Sequence, residues 1–441
     1  MKKILFLVSF CLTTIAVSAS PDITCSSNGV RKIFPGVDYV FIFKDITNPM
    51  TEITYNGPFL DKNSITWTKF TSGAFGSSNT GQNIISPEDA TGYRLTVDDK
   101  KIADIWVIDY RPPVLKSVSV PTAQTSECKT VSLAIDADIP ALSYQTPASA
   151  TSLPITRDFN IAYTTLSWNG TAWTPKDTTI TISSPIASPK SVPAPYCSTK
   201  FTLIGDQYAK DLGIELTPVS TDYTPIAVVC HETSIVSTRN ATNEAERPTT
   251  AKQIRGSAPF DMQFLSNANE PITQYYKWEI FKDKAFQPFI SRTDKDIRNT
   301  FSEAGVYKVA VTVSHGDAKS CMFTDSIMVT VSESQIVAPN VFTPNGDGFN
   351  DEFRVAYKSI ISFHCWIYNR WGRLVYEWTD PMKGWDGNIG GRKAAPGAYF
   401  YIIKALGSDY DPNSKPDSKT KLRVGEYKLK GDINLLRGAD N

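Results

Sequence analysis

His231, His315 and His364 are the only imidazoles in the chain. They are far apart in sequence, and none belongs to a metal-binding pair such as H-E-x-x-H. There is no G-x-S-x-G elbow, no P-loop and no dinucleotide fingerprint. Carboxylates are plentiful but scattered, whereas glycoside hydrolysis needs two of them about 5–10 Å apart. The stretch with most cation-ligand character is Thr343 to Asp351. There Asn345 and Asp347 would be the third and fifth ligands of a calcium loop, with Gly348 at the sharp turn and Asp351 at position nine. The first ligand would be Thr343 and the twelfth Arg354, so an anionic ligand is lost and a cation added. That arithmetic favours a plain turn. The sequence asks for no catalytic residue, no metal and no cofactor.

The cysteines are the other chemical resource. Seven are present, and Cys11 lies in the leading apolar stretch, which leaves Cys25, Cys128, Cys197, Cys230, Cys321 and Cys365. An even number in an exported chain points to disulfides. The expected pair is Cys128 with Cys197, inside one domain. The alternative is that several are buried small hydrophobes, as the strand position of Cys365 favours. No C-x-x-C spacing exists, so a structural zinc site is not expected.

Export is written at the front. Lys2 and Lys3 precede a mostly apolar run from Ile4 to Val17, and Val17-Ser18-Ala19 offers small residues before a cut at Ser20. The run is too short for a comfortable membrane span, and no later segment is long enough either. Phe10 before Cys11 does not fit a lipoprotein signal. Lys plus Arg and Asp plus Glu number 45 each, so the net charge is zero. That argues against nucleic acid as a partner, because phosphate binding needs a basic excess.

The elements that must position these residues are strands. Thr, Val, Ile, Tyr and Phe abound, and long amphipathic helical patterns are scarce. The fold class expected is all-β, with tandem immunoglobulin-like β-sandwiches. A length of 441 residues suggests about three or four domains. A signal peptide over 1–19 leads into sandwiches over 20–120 and 121–230, a third over 231–334, and a small C-terminal sandwich over 335–441. Trp67, alternating with Ile65 and Lys69, reads as a core tryptophan. Gly205 to Leu212 reads as one short helical turn, and Ser183 to Pro195, rich in Pro, Ser and Ala, as a loop or seam. Trp168-Asn169-Gly170-Thr171-Ala172-Trp173 reads as a hairpin with an Asn-Gly turn. Its two tryptophans either pair across the strands or stack a sugar ring. Tyr307, Val309, Val311 and Val313 share one strand face.

Two stretches carry a family resemblance. Thr300 to Val313, with its aromatic, Ala304-Gly305, Tyr307 and alternating valines, resembles the PKD fold. The family's Asp-Phe-Gly-Asp-Gly after the tryptophan is replaced here by Glu279-Ile280-Phe281-Lys282-Asp283. The second stretch is more specific. It runs through Pro339 to Asp351, Ile367 to Arg373, Gly384-Trp385-Asp386-Gly387, Pro396 to Tyr401 and Lys430 to Arg437. These five blocks resemble the gliding-motility-associated C-terminal domain of Bacteroidetes, the type B sorting signal of the type IX secretion system. The resemblance implies type IX machinery as a partner and an extracellular or outer-surface destination by way of the periplasm. It also implies sorting determinants at Lys430, Gly431, Leu435, Leu436 and Arg437. For the preceding domains it leaves an extracellular glycan or protein ligand, or structural work in a surface assembly, with a secreted hydrolase third.

Overall fold

A computed structural model describes residues 23–121, 128–248, 254–283, 287–316 and 321–437. The expected signal peptide over 1–19 lies outside the described residues. Strands make up 55% of the chain and helix 2%, so the all-β expectation holds. The described chain falls into two compact units: residues 23–121, 130–165 and 176–224, and residues 128–129, 166–175 and 225–437.

The first unit is built on a six-stranded sheet. Its strands are β1 (Gly29–Phe34), β2 (Val37–Phe43), β3 (Ile65–Thr71), β4 (Ala74–Thr80), β5 (Thr91–Val97) and β6 (Lys100–Asp109), in the order β1-β2-β6-β5-β3-β4. β2 and β6 run parallel at the centre. From Tyr39 to Phe43 every residue of β2 is buried. Such an unbroken apolar run, rather than an alternating one, marks a strand covered on both faces. One face packs Phe41, Phe43, Tyr93 and Leu95 around the buried Trp67, whose indole N–H donates to the Gln82 carbonyl at 3.0 Å. The other face packs Val40, Ile42, Phe70 and Trp106 against the hairpin β7 (Leu142–Thr146) and β8 (Ser149–Ile155) and the single turn α1 (Gln207–Asp211). One core therefore draws on residues from both sides of position 120.

A further sheet, which belongs to this unit except for residues 166–175, contains β9 (Asp158–Trp168), β10 (Trp173–Ser183), β11 (Thr199–Ile204) and β12 (Val219–Tyr223), in the order β10-β9-β11-β12. Another joins Val114–Ser119, Thr130–Asp138 and Lys190–Pro193. The last strand falls inside the stretch expected to be a loop or seam. Pro193 is accommodated because its strand is an edge.

Arg157 and Asp206, both buried, form the polar centre of the unit. The Arg157 Nε donates to the Asp206 carboxylate. Its Nη1 donates to the carbonyls of Arg111 (3.0 Å) and Pro140 (2.9 Å), and its Nη2 to the Tyr110 hydroxyl (3.0 Å). Tyr110 in turn donates to Asp206 at 2.9 Å. Asp206 also caps α1 by accepting the Ala209 N–H at 2.8 Å. Every partner a buried ion pair needs to offset its desolvation is in place.

The second unit holds two sandwiches. In the first, β13 (Tyr275–Lys282), β14 (Gly305–Ser314) and β15 (Met322–Val331) form a five-stranded sheet with Ile254–Gly256 and Ile290–Arg292. Thr233–Val236, Phe260–Leu265 and Ile297–Phe301 form another sheet. Tyr307, Val309, Val311 and Val313 all point into the shared core with Trp278, Phe264 and Phe301. In the second sandwich β16 (Ile360–Tyr368), β17 (Leu374–Trp378), β18 (Gly397–Gly407) and β19 (Glu426–Leu435) are ordered β19-β18-β16-β17, with Val341–Phe342 running parallel to β19 at the edge. Its aromatic core centres on Trp385, surrounded by Phe342, Tyr376 and Tyr399.

The two sandwiches share backbone hydrogen bonds. The Tyr357 N–H donates to the Asn243 carbonyl at 3.2 Å, and the Ala245 N–H to the Tyr357 carbonyl at 2.8 Å. The Asn243 side-chain amide donates to the carbonyls of Val355 and Pro381, both at 2.8 Å. Ser257 and Ser359, fully buried, exchange bonds: the Ser359 N–H donates to the Ser257 hydroxyl, and the Ala258 N–H to the Ser359 hydroxyl.

The disulfide differs from the expected one. Within the second unit Cys128 bonds Cys321, with Cα atoms 5.1 Å apart at a sequence separation of 193. Cys197 is a free, half-buried thiol whose Sγ lies against the Thr164 carbonyl. Cys365 is buried on β16, where burial pushes its thiol pKa up, and it behaves as a small core hydrophobe.

Candidate functional site

The C-terminal block of β19 divides by side-chain environment. Leu435 is fully buried in the core. Gly431 lies opposite Tyr401 on β18, and a Cβ added there would fall 2.7 Å from the Tyr401 hydroxyl. Only glycine allows that ring to lie flat on the strand. Arg437 clamps the chain end, donating to the carbonyls of Pro344 (3.0 Å) and Gly387 (2.8 Å). Lys430 and Leu436 are exposed. Three of the five expected determinants thus build the sandwich, and two face solvent. Lys430 pairs with Ile402 in register, and Ile402 with Trp366. The row continues into Glu377 on β17.

The loop from Thr343 to Asp351 folds on itself. Asp351 accepts the N–H groups of Asn345 (3.0 Å), Gly346 (2.6 Å) and Gly348 (2.8 Å). These bonds, those from Gly346 and Gly348 foremost, lower its pKa. Gly346 and Gly348 take φ of 86° and 88°, which turns their N–H groups inward. Asn345 donates to the Asp347 carboxylate at 2.8 Å. The carboxylates that a cation would need are spent on the loop's own donors.

The tryptophans of the Asn-Gly hairpin do pair, edge to face, with centroids 5.3 Å apart. Neither is a free stacking platform. The Trp173 indole N–H donates to the Asn267 carbonyl at 2.6 Å, and the Trp168 ring packs tilted against His231, centroids 4.9 Å apart. His315 bonds the Ile272 carbonyl at 2.8 Å, and His364 pairs with Glu377 at 3.1 Å while stacking on Trp366. Among the described residues no group of three or more His, Cys, Asp or Glu lies close enough to hold a metal ion.

A polar groove in the second unit is lined by Arg255, Lys282, Glu303 and Lys358. Its cations are paired: Lys282 with Glu303 at 2.7 Å, and both Arg255 (3.4 Å) and Lys358 (3.3 Å) with Glu246.

Sequence reading gave no signal for Glu232, which stands between the free thiol of Cys230 and the strand Thr233–Val236. It is buried, and among the described residues its Oε1 has no hydrogen-bond partner. Burial, helped by the nearby Asp325 carboxylate, pushes its pKa up to about 8. An unfolded glutamate titrates near about 4.3. The folded state therefore holds a proton that the unfolded state has released between those values. Stability is greatest below the unfolded value, falls as pH rises, and levels off above about 8. Glu232→Gln should flatten this slope, which approaches about 1.4 kcal/mol per pH unit. Urea unfolding of both proteins from pH 5 to 9 checks it. Parallel curves would show that Glu232 is ionised in the folded chain.

Comparison with known proteins bears on both ends of this description. Residues 336–420 match the CHU_C Type IX secretion signal domain, and residues 119–221 match a fibronectin type III domain. No curated protein matches the chain. Among solved structures, a tetra-tandem repeat from the extending region of a large adhesion protein is 14% identical, with 87% of this chain and 94% of that one covered, at a TM-score of 0.18. The FN1–FN3 domains of chicken CNTN1 are 10% identical, covering 74% and 99%, at 0.23. Dimeric latent PorU from Porphyromonas gingivalis is 12% identical, covering 77% and 36%, at 0.15. At such scores these likenesses carry no argument. The family matches do: the chain carries a type IX secretion signal domain behind fibronectin-type and immunoglobulin-like sandwiches, which makes it a secreted or surface protein. No helix of the described residues is long and apolar enough to cross a membrane.

Proposed function

We propose that the chain is a non-enzymatic cargo of the type IX machinery whose sandwiches before residue 335 bind a glycan or protein partner outside the cell. Residues 1–19 direct it into the periplasm and are removed. The folded surface of residues 335–441 then directs passage across the outer membrane. The observation that carries this is the division of the terminal block. Gly431, Leu435 and Arg437 hold the sandwich together, while Lys430 and Leu436 stay on its outside, where a transporter reads them.

Fractionation of a type IX-competent host tests it, comparing the full chain, a truncation after Ser334, and the double variant Lys430→Glu/Leu436→Asp. The full chain should be found at the surface or in the medium with Ser20 as its first residue. The other two should stay in the periplasm. Equal export of all three would overturn the proposal. Retention of the truncation alone would leave the domain as the signal and remove Lys430 and Leu436 from it.

A second reading, a subunit of a surface assembly, is favoured by one observation. The aromatic pair best suited to a sugar is occupied by His231 and Asn267.

A further inference from the structure

An antiparallel sheet with one face on a core ordinarily turns polar residues to water on the other. In the C-terminal sandwich β19 follows that rule. Glu426, Lys428, Lys430, Asp432 and Asn434 take its outward positions. The next two strands do not. In register with Lys430 stand Ile402 and Trp366, and in register with Asp432 stand Phe400 and Tyr368. Phe400 is 46% and Ile402 41% exposed, and Trp366 and Tyr368 are half-buried beside them. The four side chains form one apolar block on the solvent side of β18 and β16. The core does not need them, because Tyr399, Ile403, Cys365 and Ile367 fill it from the opposite face. A contiguous apolar patch of this kind marks an interaction site.

We propose that this block is the docking centre of the export signal, and that its occupant is a polypeptide surface of the type IX machinery, apolar where it meets Phe400 and Ile402 and mixed in charge around them. The inference rests on the export reading and names the surface through which it works. Two observations select the occupant. The first is continuity with the residues assigned to the transporter. Lys430 adjoins the block in register, and the outward alternation of β19 carries on to Leu436, which is 52% exposed. The second is the rim, which holds both signs: Lys404, Lys428 and Lys430 beside Glu377, Glu426 and Asp432. An apolar centre inside a polar rim is the anatomy of a protein interface. A uniformly anionic bilayer would set the three carboxylates against like charge. A sugar would find the Trp366 ring taken, by His364 stacked on it at 3.7 Å and by the Lys404 ammonium 5.8 Å from its centroid.

Export of the full chain in a type IX-competent host tests it, with the truncation after Ser334 as reference. Phe400→Thr/Ile402→Thr removes the most exposed part of the block with residues that suit a strand. The variant should keep the parent's urea midpoint and far-ultraviolet spectrum. Its surface-plus-medium fraction should fall at least tenfold, with folded protein left in the periplasm. If the truncation is retained while the folded threonine variant is exported like the parent, the proposal is overturned and the export reading stands. If the truncation is itself exported, the export reading falls and the proposal with it. Should the threonine variant fail to fold, Lys404→Glu decides, because it only sets a carboxylate opposite Lys428: reduced export supports the docking face, and parental export overturns it. Rival occupants are sought with the purified parent chain, by sedimentation velocity and by flotation with phosphatidylglycerol vesicles. A dimer, or vesicle binding, that the threonine substitutions abolish would overturn the machinery as the partner.

Discussion

Cys321→Ser should lower the stability of the second unit by about 5 kcal/mol, the chain-entropy value for opening a loop of nearly two hundred residues. The loop between Cys128 and Cys321 has 193 residues of separation, so the unfolded chain gains far more freedom than from a short bridge. Cys128→Ser should cost the same, and the double variant no more than either, because each single change already opens the loop. Cys197→Ser should be close to neutral, since its half-buried thiol makes only a weak contact to a carbonyl. Urea unfolding with and without a reductant measures the four variants beside the parent chain. Reduction should bring the parent chain down to the level of Cys321→Ser and leave that variant unchanged. A large loss in Cys197→Ser, with none in Cys321→Ser, would instead return the pairing to the one expected from sequence.

Arg157→Met should destabilise the first unit by about 3–5 kcal/mol, the cost of leaving one buried charge without its partner. Asp206 would keep only the Tyr110 hydroxyl and the Ala209 N–H as donors. The carbonyls of Arg111 and Pro140 would lose theirs. Adding Asp206→Asn should recover part of the loss, because asparagine still caps α1 and carries no charge. The double-mutant cycle gives the coupling between the pair, and the expected value exceeds 1 kcal/mol, on the order seen for residues in one network. Additive losses would mean that Arg157 serves the unit mainly through its carbonyl bonds.

How much of this was legible depended on the range of the signal. Tyr307, Val309, Val311 and Val313 could be placed on one face because strand periodicity is local. Trp67 followed from the same rule, and Gly205 to Leu212 from its short helical composition. The five C-terminal blocks were legible through a family resemblance, and the structure shows what two of their residues do: Gly431 makes room for the Tyr401 ring and Leu435 fills the core. The disulfide was not, because proximity of Cys128 to Cys321 is made by tertiary contacts across 193 residues. Arg157 looked like one charged residue among many, and only burial with four acceptors around it gives it weight. Glu232 is hidden for the same reason. The core shared across position 120 escaped a reading by domains, although the unbroken apolar run of β2 carried the hint that this strand is covered on both sides.

The Asn243–Ala245 segment and Ser257 bond directly to Tyr357, Val355 and Ser359. This bears on the portability of the signal. A reporter fused to residues 335–441 alone would carry that seam stripped of its partners, with the Tyr357 backbone and the Ser359 amide left without them. A cassette that begins near Pro225 takes both halves of the seam with it. Grafts of the two lengths onto one reporter should therefore differ in yield of folded, exportable protein, with the longer one ahead.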